Sequence, residues 1–185
     1  MPRCKNCKIK FEATNFNQKF CLDDLCVKAC VSWTIEQRKK NEEKKWRKEK
    51  TRRKNNMKTN SELMSDAQDS FNAFIRERDK GLGCISCKKP FGQMKYDAGH
   101  YFSRNGHKNI TYHENNVHGQ CVHCNQHLHG NHIEYQINLV EKIGMEEMMK
   151  LYEIAYEIRR YDNDELRGII SLYKKKLKEL KKSRS

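Results

Sequence analysis

The chain has 185 residues, room for one main domain and a small satellite. Only 36% of them are hydrophobic and 34% are charged, against a usual charged share of about 25%, so the compact core must be small. A formal net charge of +14 makes a polyanion the first partner to consider, while the lack of a long apolar run or an apolar signal region in MPRCKNCKIKF argues against a membrane protein and for the cytoplasm.

Residues 1–30 hold Cys4, Cys7, Cys21, Cys26 and Cys30, with Phe11, Phe16 and Phe20 between the pairs. So short a segment cannot bury enough apolar surface to fold alone, and a bound ion is the usual remedy. The expectation is a small zinc-binding module ligated by Cys4, Cys7, Cys21 and Cys26, with Cys30 able to replace Cys26 because a tetrahedral site needs four ligands. From Val27 to Lys58 runs a helix-forming stretch without Pro, Gly or a continuous apolar stripe, read as an exposed helix or basic linker over residues 31–60. The excess charge is local: Glu36–Lys58 nets +8, Lys174–Arg184 nets +6, and the remainder nets zero. Lys39, Lys40, Lys44, Lys45, Arg47, Lys48, Arg52 and Arg53 are therefore the expected DNA contacts, although charge runs also serve simply as solvated surface. Neither basic stretch has the broad apolar face that a membrane surface requires.

Residues 61–185 make the main domain. Ser61 reads as an N-cap, and Leu63, Ala67, Phe71, Phe74 and Ile75 recur at helical spacing up to Gly81. Between Gly83 and Thr111 the glycines and Pro90 break the helical period; a β-hairpin is predicted there, with KYDAGHYF as its clearest strand. Gln120–His129 resumes helix-compatible sequence. Three C-terminal helices follow from the apolar sets Ile133–Ile143, Leu151–Ile158 and Leu166–Leu180. The predicted fold class is α+β, mainly α.

The strongest chemical signal is the pair Cys84 and Cys87 with the pair Cys121 and Cys124, two C-x2-C units separated by thirty-three residues. Each unit can present two thiolates from a tight turn, and together they complete the four-sulfur shell that structural zinc prefers. In a reducing compartment such cysteines bind metal rather than pair as disulfides. All eight histidines fall between His100 and His132, interleaved with Asn and Asp. Taken singly, His107, His113, His118, His123, His127 and His132 are ordinary surface or core residues; their concentration suggests a site for proton transfer and metal chemistry.

Asp97-x-x-His100 on a strand, then Asn116, then Asn125 directly after C-x-x-C, resembles the ββα-metal motif of HNH nucleases, whose zinc-bracketing cysteines often flank the catalytic hairpin. More widely, the N-terminal cysteine cluster, the basic helix, DAGHYFSR and NNVHGQCVHCNQHLHGN, in that order, are similar to the phage NinG family, also called Rap, recombination endonucleases that act on Holliday junctions and D-loops. The resemblance spans nearly the whole chain and is most specific from Asp97 to Asn131.

It implies a zinc-stapled ββα-metal core with flanking helices, in which His100 is the general base, Asn116 the central asparagine and Asn125 a ligand of a catalytic Mg²⁺ or Mn²⁺. His129, four residues on, would share a helix face with Asn125. Many HNH nucleases carry an acidic ligand immediately before the strand histidine, where this chain has Gly99; Asp97, on the same face of an extended strand, is the expected substitute. A neutral imidazole, with an ordinary pKa of about 6.5, can take a proton from the attacking water. The cation would stabilise charge on the departing 3′ oxygen, leaving 5′-phosphate and 3′-hydroxyl ends. Asn116 is expected to bond backbone groups of the hairpin loop and so keep His100 aimed. Arg104 and Lys108 are candidate phosphate contacts, and Trp33 and Trp46 candidate stacking residues at an unpaired centre, Trp33 being more naturally a packing residue.

Paired nicks across a four-way junction call for a two-fold homodimer, and the apolar stripes of Ser61–Lys80 and of the last helix suit either that interface or a monomer's core. Two other readings compete: a non-catalytic, zinc-stabilised DNA-binding or regulatory protein, and an HNH nuclease that cuts duplex DNA at a defined sequence. Residue spacing speaks to the chemistry; a preference for branched DNA follows from the resemblance alone.

Overall fold

A computed structural model describes residues 1–92 and 94–184 and divides the chain into two compact units, Met1–Lys58 and Thr59–Ser185. The first unit begins with a tight turn. The N–H of Lys8 donates to the Cys4 carbonyl (3.0 Å), that of Cys4 to the Ile9 carbonyl (2.9 Å), and Lys8 takes a left-handed φ of 65°. Phe20, Cys4 and Cys26 form the buried centre of this unit, with Trp33 packed against it.

Helix α1, Asp24–Asn56, starts where the Asp23 carboxylate accepts from the N–H groups of Leu25 and Cys26. Cys26 is its one buried residue. The helix is thus anchored at its first turns and extends for about 50 Å at 1.5 Å per residue, held by its own hydrogen bonds and by ladders such as Glu36–Lys40 and Glu49–Arg53. The division expected after residue 30 falls inside this helix, so the cysteine module and the basic segment are one unit.

In the second unit, helix α2 spans Asn60–Arg78. Its N-cap is Thr59 rather than Ser61: the Thr59 hydroxyl accepts from the Glu62 N–H (3.3 Å), and the Glu62 carboxylate accepts from the Thr59 N–H (2.8 Å). Two short strands come next, β1 (Tyr96–His100) and β2 (Val117–Cys121), antiparallel, with Tyr96 opposite Cys121 and His100 opposite Val117. The return strand therefore lies beyond the predicted hairpin, and residues 101–116 form a long connection with short 3-10 turns at Lys108–Ile110 and Glu114–Asn116.

Gln120 and Cys121, predicted to open a helix, end β2, and the next element is a single π turn, His123–His127. The ββα arrangement implied by the resemblance is present only in its two strands; its third member is this turn and not an α-helix. The reason is local: Cys121 must keep strand geometry to present its N–H to the Cys84 sulfur (3.3 Å), and His129, Gly130 and Asn131 all take left-handed backbone.

Helices α3 (His132–Ile143), α4 (Met145–Ala155) and α5 (Asn163–Ser183) complete the chain, with α4 ending before the exposed Ile158. α5 runs parallel to α2: Asn60 Nδ2 donates to Tyr161 O and Asn163 Oδ1 at one end (both 3.0 Å), and Arg184 reaches the Glu77 carbonyl at the other. One face of the hairpin, through Ala98 and Val117, buries against Phe71, Phe74 and Tyr173 of these helices. The opposite face meets α3, where the Tyr135 hydroxyl donates to the Gly99 carbonyl (2.9 Å). Tyr101, Phe102 and Ile110 from the long connection pack with Tyr135, Leu139, Met148 and Leu151. Among the described residues no helix is long and apolar enough to cross a membrane.

At the end of α2, Arg78 pairs with the buried Asp79 (2.7 Å) and donates to the carbonyls of Glu114 (3.0 Å) and Val117 (2.8 Å), while Asp79 Oδ2 accepts the Gly119 N–H (2.7 Å). Burial pushes the Asp79 carboxyl up, yet Arg78 and the Gly119 N–H outweigh it and hold it below the usual range. This clamp seats β2 on α2.

A Cβ at Gly99 would lie 2.2 Å from Gln120 Oε1 and 2.9 Å from Gln120 Cβ. Gln120 is fully buried, and its Nε2 donates to Ser86 Oγ (2.7 Å) and to the Gly130 carbonyl (2.6 Å), so it has nowhere to withdraw. Gly99→Ala is expected to lower stability by about 1–3 kcal/mol, the usual cost of overpacking, in urea unfolding. An unchanged midpoint would show that Gln120 moves aside freely.

Candidate functional site

Two groups of four cysteines converge, Cys4, Cys7, Cys21 and Cys26 in the first unit and Cys84, Cys87, Cys121 and Cys124 in the second, each with all sulfurs within 4.8 Å of one another. A tetrahedral Zn–S bond of about 2.3 Å implies an S–S edge of about 3.8 Å. The Cys7–Cys21 and Cys87–Cys121 separations are 3.8 and 3.9 Å, far from the roughly 2 Å of a disulfide. Cys26, rather than Cys30, completes the first group.

The two leading turns are built alike, for Lys88 N–H donates to the Cys84 carbonyl (2.9 Å) and Lys88 is left-handed at φ 56°, as Lys8 is. Burial pushes the Cys84 thiol up, but N–H donors at Cys87, Cys121 and Ser86 outweigh it and bring it below its ordinary value; Cys124, buried beside Cys121, is pushed up to about 12. Four thiols so close resist ionising together, and a bound dication removes that penalty. Both tetrads thus have the ligands and dimensions to hold zinc. Two zinc ions per chain are expected by elemental analysis, one for each tetrad. Cys87→Ser should leave one ion and broaden the unfolding of residues 59–185, and Cys7→Ser should leave one ion and spare it. A wild-type chain free of zinc would show that neither tetrad is a metal site.

The second tetrad pins β2 beside the segment that precedes β1, and the histidine- and asparagine-rich residues gather around that hairpin. His100, the last residue of β1, is half-buried, and its Nε2 faces the Thr111 carbonyl at 3.2 Å. A carbonyl can only accept, so this nitrogen carries the proton and the other holds the lone pair. Burial lowers the pKa of His100 below the ordinary 6.5, with the Arg104 charge adding to the effect and the Thr111 and Ala98 carbonyls opposing it.

Asn116 is completely buried. Its Oδ1 accepts from the Phe102 N–H (2.8 Å) and its Nδ2 donates to the carbonyls of Phe102 (3.2 Å) and Ile110 (3.1 Å), closing the long connection at its two ends. Asp97 meets the π turn, its Oδ2 accepting from Asn125 Nδ2 (3.0 Å) and Gln126 Nε2 (2.8 Å). Asp97 and Asn125 are therefore together, although far apart in sequence. Gln126 is a partner that the sequence motif does not name; its position next to Asn125 is the available signal.

Other expected partners are not brought together. His129 is exposed, left-handed and beyond the π turn, so the helical spacing that would align it with Asn125 does not exist. Among the described residues, Asp97, His100 and His129 do not form a group with ligand atoms within 4.8 Å. Asp97 and His100, three residues apart on an extended strand, leave it on opposite faces. Gly99 carries no ligand because Gln120 fills the space in which one would begin. Of the remaining histidines, His118 is buried, with Nδ1 at 3.3 Å from the Tyr135 hydroxyl, and its pKa is lowered to about 3, chiefly by burial.

Arg104 and Lys108 line a cleft beside Thr111. Lys39, Lys40, Lys44, Lys45, Arg47, Lys48, Arg52 and Arg53 are all exposed on α1, where 100° per residue spreads them around the whole circumference. Trp33 lies under the ammonium groups of Lys5 (4.3 Å) and Lys19 (4.8 Å) and against Phe20, a packed position, whereas Trp46 is exposed with Lys50 over its ring (4.9 Å).

Comparison with known proteins adds a lineage. The family model described as "Bacteriophage Lambda NinG protein" matches residues 1–183. The protein called "Protein ninG" of Escherichia phage 933W is 36% identical over 197 residues, covering 99% of this chain and 95% of the relative. Those of Escherichia phage lambda and Salmonella phage P22 are each 36% identical over 195 residues with the same coverage. No solved structure matches the chain at a significant level.

Proposed function

The chain belongs to the NinG family, and from that premise we propose that it is a metal-dependent endonuclease of the HNH type that hydrolyses phosphodiester bonds in branched DNA such as Holliday junctions and D-loops. The observation that carries this reading is the strand β1 itself, which offers a neutral imidazole at His100 and, at Asp97, a carboxylate joined to Asn125.

Asp97 and Asn125 suit the expected cation. Turning the Asn125 carboxamide over would exchange its N–H donor for its carbonyl oxygen, and the pair would then present two oxygen donors about 3 Å apart, the hard-ligand chemistry of Mg²⁺ or Mn²⁺. Such an ion, when bound, supplies electrostatic stabilisation of the departing 3′ oxygen. Because β1 has, among the described residues, only one neighbouring strand, a phosphodiester crossing its outer edge can meet side chains from both faces. His100 accepts the water's proton at the ring nitrogen turned away from Thr111, and Asn116 keeps that carbonyl in place by holding the connection closed. Arg104 and Lys108 draw the phosphate in, and the basic helix α1 supplies sequence-independent attraction along the duplex. A homodimer would set two such sites across a junction.

The reading of a zinc-stabilised DNA-binding protein without catalysis draws on one observation, the opposite faces of Asp97 and His100. Synthetic four-way junctions with Mg²⁺ separate the two. His100→Ala and Asn125→Ala should each reduce cleavage at least a hundredfold while retaining binding, the scale of a lost general base or metal ligand. Wild-type activity should persist below pH 6.5, because the lowered pKa of His100 keeps its lone pair available further into acid. Variants that cut like the parent would displace the site from this hairpin. A linear duplex, a flap and a D-loop in the same assay test the sequence-specific alternative, which requires cleavage of the duplex at a fixed position.

Lys39, Lys40, Lys44 and Lys45 changed together to Gln should flatten the dependence of binding on salt by about 0.9 in log–log slope for each phosphate no longer neutralised. An unaltered slope would identify α1 as solvated surface only.

A further inference from the structure

Beside the connection that holds His100 lies a cleft of about 390 Å³, within the range of sites for small ligands, about 300–1,000 Å³. Gln68 of α2, Arg104, Lys108 and Tyr112 of the connection and Tyr161 before α5 line it, together with Thr111, whose carbonyl faces His100. Gln68 is only 6% exposed. Its Nε2 donates to Asn72 Oδ1 (2.6 Å), and its Oε1, closed off from solvent in this conformation, has no hydrogen-bond partner. An unpartnered buried acceptor costs stability that a leucine of similar size would not; Gln68 lines the cleft, and turning its carboxamide toward that space would let the oxygen meet a donor arriving from outside.

The rest of the wall says what kind. Tyr112 and Tyr161, with ring centroids 5.3 Å apart and an edge-to-face arrangement, offer aromatic surface, and Arg104 and Lys108 offer charge for phosphate. A bare anion is disfavoured by the Gln68 oxygen, and a wholly apolar ligand would leave that oxygen still unpaired. A planar ring with N–H groups on its edge, attached to a phosphate, satisfies all of these surfaces at once.

We propose that this cleft receives an unstacked nucleobase of the bound strand, whose amino edge donates to Gln68 Oε1 once that carboxamide turns toward the cleft, while Arg104 and Lys108 hold the adjoining phosphates. The inference rests on the nuclease reading for its ligand and sharpens its substrate class. A base beside a branch is free to leave the stack, whereas one within a continuous duplex must first break its pairing and stacking. Selection of branched DNA would then arise from a pocket next to the cutting residue rather than from the basic helix.

The test is a binding cycle without added Mg²⁺, so that no strand is cut and structural zinc is undisturbed. Wild type and Gln68→Leu are titrated with a four-way junction, with the same junction carrying a single abasic nucleotide at successive positions around the branch, and with a linear duplex. At one position the abasic junction should bind wild type about tenfold more weakly, the scale of one buried hydrogen bond to a base with its stacking. Gln68→Leu should show the same loss on the intact junction and no further loss on the abasic one, and both proteins should bind duplex equally. Thermal unfolding of Gln68→Leu at or above the wild-type temperature would confirm that the fold is intact; if it is lower, Gln68→Met supplies the comparison. Additive losses, or a variant that binds every junction like wild type, would overturn the pocket. Failure of the wild type to cut junctions with Mg²⁺ would sink the nuclease reading instead, and the binding cycle would still report on the cleft.

Discussion

The candidate site depends on a knot of four sulfurs. Cys84 and Cys87 precede β1, Cys121 ends β2 and Cys124 lies in the π turn, so a single ion among them would fix where the hairpin closes and where the turn that carries Asn125 begins. The sheet itself contributes little rigidity, having two strands of five residues, a size that is marginal in water without further support. Backbone N–H groups of Cys121 and Cys124 point at sulfur, and the Ile85 N–H donates to the Gly119 carbonyl (3.0 Å), so the peptide chain around the knot is already committed to that geometry. Coordination energy gained there is folding energy for the hairpin.

A second constraint acts at the hairpin's far end. A long connection leaves polar backbone that must find partners wherever it is buried, and residues 101–116 run partly through the core. Asn116 supplies three hydrogen bonds from one side chain and Arg78 two more to carbonyls at Glu114 and Val117. Truncating Asn116 would therefore strand several groups at once, and the placement of Thr111 opposite His100 would go with them. Sulfur knot and carboxamide clamp bracket β1 from its two ends.

Much of this architecture is legible in the residues. Cysteine spacing announces both tetrads because thiolate geometry tolerates few alternatives, and the apolar periods of α4 and α5 are long enough to read directly; that of α3 marks the helix but not its buried face, since Ile133 and Ile137 are exposed and Tyr135 and Leu139 are buried. The features that stay hidden have physical reasons. Ser61 competes with Thr59 as a cap on residue type alone, although Glu62 at the third position favours Thr59. The return strand escapes notice because Val117–Cys121 carries Gly119 and polar residues that look like neither strand nor core; Gly119 is there to admit Asp79 and Phe91. His129 matches Asn125 only on the assumption of an α-helix, and three consecutive left-handed residues are a tertiary outcome that periodicity does not report. Gly99, which departs from the usual acidic position, gains its explanation from a cross-strand neighbour.

Helix α1 has a consequence of its own. With Cys26 as its only buried residue and no apolar stripe, it borrows its nucleus from the thiolate cluster that fixes its first turn. Oxidising those sulfurs, or withdrawing a zinc ion bound among them, would therefore do more than loosen thirty residues. It would let a highly charged rod fray from its root, turning the chain's main electrostatic arm into a flexible tail whose reach and grip on any polyanion are no longer set by the protein.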